Sequence, residues 1–349
     1  MKKIVFFIGS MGSGGAERVI SHLANDYVQR GYDTHICMLL KNEVEYDLNP
    51  SIYVHDMSGG GGSRIKRVPY WIKSINCFIR SHNPDRIVSF AARINILVLL
   101  ASFGYSKRVI VSERNDPQLD GRGFVANILT KVLYKFAKIV VFQTEEVKRL
   151  FPEYIQRNSR VIPNPIEVKF LYSGKQTNKI VTVGSLKEQK NHEMLIDAFK
   201  IIHNIYPDFH LYIYGEGHLR AKLTKQIERE GLHDNVHLPG KKRNVHKFIK
   251  DALFFVLSSN YEGLSNALLE AMAMGMPCIS TDCTGVDEYI VNNNNGLIVK
   301  RGDVNLLASA MLRFIEDDEL RINCGRNAKK ILKKVNKEKV LKKWAKVID

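Results

Sequence analysis

Phe254-Phe255-Val256-Leu257-Ser258-Ser259-Asn260-Tyr261-Glu262-Gly263-Leu264-Ser265-Asn266-Ala267-Leu268-Leu269-Glu270-Ala271-Met272-Ala273 reads as a strand, a loop and a helix in direct succession. The apolar run at its front suits a buried strand. Gly263 interrupts the run, Ser265 or Asn266 can cap a helix, and the Ala, Leu, Met and Glu that follow are strong helix formers. Glu262 therefore falls on the strand-to-helix loop, and Glu270 rises from the same helix about one turn further in. A loop carboxylate, several unpaired helix amides and a second carboxylate are thereby turned toward one place. Amides and the helix dipole suit a diphosphate, while carboxylates suit sugar and ribose hydroxyls. A capped helix with two surface glutamates is the plainer alternative.

The same alternation runs outward in both directions. Lys3 to Gly9, Thr34 to Leu40, Ile52 to Met57, Arg86 to Phe90, Arg108 to Glu113 and Lys138 to Thr144 read as strands, with helical patterns near 16 to 30, 64 to 82, 93 to 103 and 122 to 137. Asn158 to Ile166 holds Pro163-Asn164-Pro165, which forbids continuous helix and removes ladder donors, and so marks a boundary. The alternation then restarts with strands at Ile180 to Leu186, His210 to Gly215, Val236 to Gly240, Phe254 to Ser259, Cys278 to Asp282 and Gly296 to Val299. After Asp303 the pattern stays helical. The expected fold class is α/β, with two Rossmann-like doubly wound domains in series at 1–165 and 166–328 and a helical tail at 329–349. In such sheets ligands sit at the carboxyl ends of the strands, so facing domains would make a cleft.

Bulk composition agrees with a packed globular protein: 349 residues, 45% apolar and 25% charged. No apolar run approaches the roughly 18 residues needed to cross a bilayer, and Ile4 to Ile8 after Met1-Lys2-Lys3 is too short for a secretion signal and reads as a first core strand. The five cysteines include no CxxC pair and no His cluster of metal spacing, so reduced thiols, a cytoplasmic setting and no structural metal are expected.

Three constellations carry chemistry. Gly12-Ser13-Gly14-Gly15-Ala16-Glu17-Arg18 joins the first strand to a helix, where glycines allow close backbone approach and the helix start favours a phosphate. It is neither a Walker loop nor a clean GxGxxG, and a tight turn would need the same residues. The E-x7-E pair Glu262 and Glu270 is the second; Glu145 and Glu153 share its spacing with Pro152 between them, so only the loop-to-helix setting distinguishes it. The third is Val183-Gly184-Ser185-Leu186-Lys187-Glu188-Gln189-Lys190-Asn191-His192, where Lys190 could offset a leaving diphosphate, although a lone lysine after a turn is more often solvated.

Together with Ile162-Pro163-Asn164-Pro165, Tyr214-Gly215-Glu216-Gly217, Glu270-Ala271-Met272-Ala273, Gly275-Pro277 and Asn295-Gly296-Leu297, these motifs resemble those of the family 4 glycosyltransferases of the GT-B fold along essentially the whole chain. That resemblance implies an N-terminal acceptor-binding domain, a C-terminal nucleotide-sugar-binding domain, and a terminal helix that crosses back onto the first. It implies that Glu270 holds the ribose hydroxyls, that Glu262 and the amides of Leu264, Ser265 and Asn266 hold the sugar and diphosphate, and that Gly14 and Gly15 approach the diphosphate. Gly184 and Ser185 would line the donor site, and Gly215, Glu216 and Gly217 would lie near the base. It further implies retention of anomeric configuration with neither cofactor nor metal, the leaving phosphate helping to deprotonate the acceptor. Lys190, Glu262 and Arg114 are then the candidate catalytic groups, with Glu262 positioning rather than abstracting a proton. Two positions depart from the family: Ser185 stands where many relatives carry Arg, and Arg114 where many carry His. The Ser112-Glu113-Arg114-Asn115 run resembles members that handle hexoses or N-acetylhexosamines in surface polysaccharide assembly, which points to a UDP-linked donor and a lipid-linked or saccharide acceptor.

The net charge of +16 is local. Residues 64 to 80 carry Arg64, Lys66, Arg67, Lys73 and Arg80 with no acid, and residues 326 to 346 carry ten Lys or Arg against Glu338 alone. In residues 64 to 80 apolar positions recur every three to four residues, so a basic amphipathic helix could lie on an anionic membrane at the inner face of the cell membrane. A sheet-covering helix with solvated charges fits the same pattern. In the tail, Val340, Trp344 and Val347 form one apolar stripe expected in the core. A non-catalytic protein binding anionic polymers is a competing reading of the charge, but the aromatic platforms of a nucleic-acid module are missing and nucleic acid is not expected as a partner. A nucleotide-sugar epimerase would need an acid-base set that the sequence does not offer.

Overall fold

The computed structural model describes residues 1–12, 14–59, 63, 66–175 and 177–349. Ser13 of the glycine-rich turn, most of the Gly59 to Gly62 loop, and Arg64 and Ile65 of the basic stretch lie outside the described residues. Two compact units are present: Met1–Pro165 with Lys337–Asp349, and Ile166–Asn336.

The first unit runs β1 (Lys3–Ile8), α1 (Gly15–Gln29), β2 (Asp33–Met38), β3 (Tyr53–Asp56), α2 (Val68–His82), β4 (Arg86–Phe90), α3 (Ala92–Ala101), β5 (Val109–Ser112), α4 (Phe124–Tyr134), β6 (Ile139–Phe142), α5 (Glu145–Arg149), α6 (Glu153–Arg157) and β7 (Ser159–Val161). Its sheet has the order β3-β2-β1-β4-β5-β6-β7, every pairing parallel. Strands buried on both faces need apolar residues at odd and even positions alike. In β1, Val5 and Phe7 join α2, α3 and Tyr134 of α4 in one cluster, while Ile4, Phe6 and Ile8 join α1 in the other. The strand β7 is an addition to the expected set: it is a three-residue edge element directly before Pro163, where the prolines dominate the sequence pattern.

The second unit runs β8 (Lys179–Val183), α7 (His192–Ile205), β9 (His210–Tyr214), α8 (Arg220–Arg229), β10 (Val236–His237), α9 (His246–Ile249), β11 (Phe254–Leu257), α10 (Asn266–Met274), β12 (Cys278–Thr281), β13 (Leu297–Val299), α11 (Val304–Glu316), α12 (Asp318–Ala328) and α13 (Leu332–Val335). The sheet order is β10-β9-β8-β11-β12-β13, again parallel throughout. Each expected strand is present, and both halves have the α/β class that the alternation implies.

The tail expected from residue 329 begins later. Ile331 and Val335 are buried with α10 in the second unit's core, and Ile166 N donates to Val335 O at 2.8 Å. Only from α14 (Lys337–Ile348) does the chain belong to the first unit, where Val340, Trp344, Val347 and Ile348 pack beside α1 and the Trp344 ring stacks 5.6 Å from Phe90. The lysine-rich composition of 329–336 hides the change of partner.

Of the two readings of the basic helix, the burial pattern fits the sheet-covering one. Trp71, Ile75, Phe78 and Ile79 of α2 are all buried in the core of the first unit. Its buried residues cover the sheet, while Lys73 and Arg80 are exposed together with Tyr70 and Cys77.

Candidate active site

In a doubly wound sheet the ligand crevice opens where neighbouring strands send their connections to opposite faces. In the second unit this point lies between β8 and β11, which pair directly. The loop after β8 carries Gly184 to Asn191, and the loop after β11 carries Ser258 to Ser265. The two loops are sewn together by Asn260 N donating to Gln189 O at 2.8 Å, Ser258 Oγ to Lys190 O at 2.9 Å and Asn191 Nδ2 to Asn260 Oδ1 at 2.9 Å.

At their junction the Lys190 ammonium meets Glu262 Oε1 at 2.5 Å. The same oxygen accepts from Ser259 Oγ at 2.7 Å, and Gln189 Nε2 lies 3.5 Å from Oε2. Both side chains of the pair are largely buried. The methylenes of Lys190 cross Gly184 at 3.2 Å from where a Cβ would stand, so a glycine there leaves room for the lysine to reach across. A charge-assisted, multiply bonded carboxylate of this kind is held in one orientation. It differs sharply from the equally spaced Glu145 and Glu153, which begin α5 and α6 at the surface and pair with Lys148 and Arg157.

α10 starts immediately beyond. Ser265 caps it, accepting from Leu268 N at 3.4 Å, and Asn266 is its first residue. A small pocket beside the helix start is lined by Leu257, Glu262, Leu264, Ser265, Thr284 and Tyr289 among others. One turn along α10, Glu270 is buried and its Oε2 lies 2.8 Å from His246 Nε2 on α9. Sequence pattern does not single out His246, because the partners come from two helices with no shared spacing. Ser259 and Gln189 fall within the quoted motifs, but nothing in the sequence gives them a role.

Behind the β8 loop, Gly215 and Gly217 allow backbone to lie on backbone. A Cβ on Gly215 would stand 1.8 Å from Gly184 O, and one on Gly217 would stand 2.2 Å from Leu186 O. Leu186 N donates to Glu216 O at 3.0 Å, while the exposed Glu216 side chain pairs with Arg220. Ser185 is half-buried beside Gly184. His192, at the start of α7, is buried; burial above all, then the nearby Lys190 cation, pushes its imidazole down to about 4.

In the first unit Gly14 precedes α1 and Gly15 opens it, with the Glu17 carboxylate folded over Gly14. Burial raises the Glu17 carboxyl above its ordinary range against the pull of the Arg114 cation. Arg114 is enclosed: Nη1 donates to Asn164 Oδ1 at 2.8 Å, and the guanidinium lies 4.4 Å over Phe90 and 6.0 Å from the Trp344 ring. Burial lowers it to about 9, which leaves it cationic at neutral pH. It therefore joins the Pro163–Pro165 stretch and α14 to the sheet, while Nε and Nη2 have no partner among the described residues.

Next to it, Arg122 Nη1 and Nη2 each donate to Glu113 at 3.0 Å, Nε and Nη2 also donate to Asp120, and Tyr134 donates to Glu113 at 3.1 Å. Sequence reading misses this buried network. Glu113 ends a strand and Arg122 precedes α4, so nothing in their spacing announces the pair.

Comparison with known proteins points one way. The family described as glycosyl transferases group 1 matches residues 166–331, and glycosyltransferase family 4 matches residues 13–170. A Campylobacter jejuni protein, N-acetylgalactosamine-N,N'-diacetylbacillosaminyl-diphospho-undecaprenol 4-alpha-N-acetylgalactosaminyltransferase, is 27% identical, with 97% of each chain covered. The amylovoran biosynthesis glycosyltransferase AmsD of Erwinia amylovora is 23% identical over 100% of this chain and 99% of its own. Among solved structures, Anabaena HepE in complex with UDP and glucose superposes with a TM-score of 0.84 at 18% identity, covering 100% of this chain and 99% of that one. A point mutant of Staphylococcus aureus TarM, solved with fondaparinux, alpha-GlcNAc-glycerol and UDP, gives a TM-score of 0.80 at 15% identity, with 100% of each chain covered.

Proposed function

This chain belongs to the family 4 glycosyltransferases and has the GT-B fold, and from that premise we propose that it moves a hexose or N-acetylhexosamine from a UDP-linked sugar to a lipid-linked or saccharide acceptor in surface polysaccharide assembly. The observation that carries the reading is the Lys190–Glu262 pair, held at the strand crossover beside the capped start of α10. Lys190 and the first amides of α10 would meet the charge of a leaving diphosphate, a task for fixed donors that need no reorganisation. Glu262, fixed by Lys190 and Ser259, would orient the transferred sugar. Glu270, steadied by His246, would accept from the ribose hydroxyls. Gly184, Ser185, Gly215, Glu216 and Gly217 would border the nucleotide, and Gly14 and Gly15 offer the amides of α1 to an anionic group. Arg114, the remaining candidate catalytic group, would act through Nε and Nη2, the donors it keeps.

Transfer would retain anomeric configuration, as the family resemblance implies, and would need no metal ion, because a lysine and a helix start form the proposed diphosphate clamp. The names of the Campylobacter relatives, which include diphospho-undecaprenol or PP-undecaprenol, support a lipid diphosphate acceptor, and the UDP-bound neighbours support the donor nucleotide. A nucleotide sugar and a lipid diphosphate would meet at the inner face of the cell membrane, so we place the enzyme in the cytoplasm, peripheral to that face. Among the described residues no helix is long and apolar enough to cross a membrane. The test is a thermal-shift panel of nucleotide sugars followed by product mass analysis. A UDP-sugar should raise the melting midpoint and yield a glycosylated acceptor, and Glu262→Ala and Glu270→Ala should lose turnover. Full turnover in both variants would overturn the site assignment.

A further inference from the structure

Glu262 is steadied from a third strand as well as from the loops after β8 and β11. Thr281, the last residue of β12, donates from Oγ1 to Ser259 O at 2.7 Å, and the Cys283 thiol donates to the same oxygen at 3.1 Å. The Ser259 hydroxyl in turn donates to Glu262 Oε1 at 2.7 Å, the oxygen that also meets Lys190. Ser259 and Thr281 are fully buried and Cys283 nearly so. Burial pushes the Cys283 thiol up to about 12, so at neutral pH it keeps the proton that it donates. Both lone pairs of the Ser259 carbonyl are thereby occupied, which fixes the direction of that peptide and so sets where the Ser259 hydroxyl can reach.

The place of Thr281 in the sheet explains why a side chain is needed there. β11 and β12 pair as far as Leu257 with Ser280, and beyond that register the chain after β11 leaves the sheet to form the loop that carries Glu262. Thr281 stays in the sheet, in register with Val299 of β13, and Asp282 N donates to Val299 O at 2.8 Å. Its hydroxyl therefore continues a link between β12 and the departing loop that the backbone ladder no longer makes. The Cys283 thiol is the weaker donor of the two and cannot replace it. We propose that Thr281 is a positioning residue for sugar transfer, its hydroxyl holding the Ser259 carbonyl so that the Ser259 hydroxyl keeps the Glu262 carboxylate in place beside Lys190. Its effect on turnover rests on the transfer reading, in which Glu262 orients the sugar; the chain of contacts from Thr281 to Glu262 does not.

The test compares Thr281→Val, which keeps the shape and removes the hydroxyl, with Thr281→Ser, which keeps the hydroxyl and removes a methyl group from the core. With the UDP-sugar that gives product, Thr281→Val lowers kcat about tenfold or more, because a displaced Glu262 orients the sugar poorly, while the donor KM stays within about twofold. Thr281→Ser keeps kcat within about twofold of the parent, although the small cavity it leaves lowers its melting temperature. A merely structural threonine would make turnover follow stability, so an equal loss of kcat in the two variants overturns the proposal, as does a parental kcat in Thr281→Val. Urea unfolding of Thr281→Val, Glu262→Gln and the double variant reads the chain of contacts without any substrate. Members of one hydrogen-bond network are not additive, so each substitution costs less in the presence of the other; additive losses overturn the proposal. Absence of product with every UDP-sugar counts against the transfer reading, and the urea cycle alone then upholds or overturns the link from Thr281 to Glu262.

Discussion

Lys190 Nζ stands 2.5 Å from Glu262 Oε1, and this one contact ties the loop after β8 to the loop after β11 at the strand crossover of the second sheet. The pair is largely buried, so each member depends on the other. Glu262→Gln keeps the shape and can still accept from Ser259, but removes the charge that holds Lys190. Turnover should fall by about 10²- to 10³-fold if Glu262 and Lys190 act on charge that develops in transfer, while the fold persists. Lys190→Ala leaves a buried carboxylate with only Ser259 and Gln189, and should cost about 3 kcal/mol of stability as well as turnover. Steady-state kinetics and urea unfolding of both variants separate the two effects.

How far the site is legible in the sequence depends on whether its contacts are local. Glu262, Glu270 and the capping Ser265 sit within one strand-loop-helix stretch, and the setting that distinguishes them from Glu145 and Glu153 is itself local. His246 beside Glu270, and Arg122 beside Glu113, are products of tertiary packing between elements that share no pattern. The amphipathic helices show the same limit. The stripe of α2 is visible as apolar spacing, but that the sheet covers it is decided by the connections around it. Trp344 marks the tail as core, yet uniform lysines mask the residue at which the chain changes unit.

Gly215 should be intolerant of any side chain. At φ +155° with Gly184 O 1.8 Å from a built Cβ, Gly215→Ala must push two backbone segments apart, and a cost of roughly 3 kcal/mol or more is expected. Gly231 is the control. It has φ +67° with open space around it, so Gly231→Ala should cost only about 1 to 2 kcal/mol from backbone strain. Thermal unfolding of the two variants should rank them in that order, and equal losses would show that close approach at Gly215 is unimportant.

Arg122→Ala strips Glu113, 1% exposed, of both guanidinium donors and leaves it only the Tyr134 hydroxyl and a local amide. Removing one partner of a buried ion pair typically costs about 3 to 5 kcal/mol. The loss should be measurable by denaturant unfolding and should be reduced in the double variant with Glu113→Gln, because the stranded charge is then gone.

His192 sets a pH dependence whose direction follows from its burial. In the unfolded chain the imidazole takes up a proton near 6.5, whereas in the folded protein it resists until about 4. Between these values the unfolded state binds more protons, so stability is full above about pH 6.5 and falls as the pH drops toward 4, then levels off. The gap corresponds to roughly 3 kcal/mol at about 1.4 kcal/mol per pH unit. His192→Leu cannot take up that proton in either state, so its urea midpoint should lose less than the parent's between pH 7 and pH 4.5. Parallel midpoints across that range would mean that His192 is protonated in the fold after all. The neighbouring Lys190 cation makes that outcome costly, since a charged imidazole would then share the buried floor of the β8 loop with it.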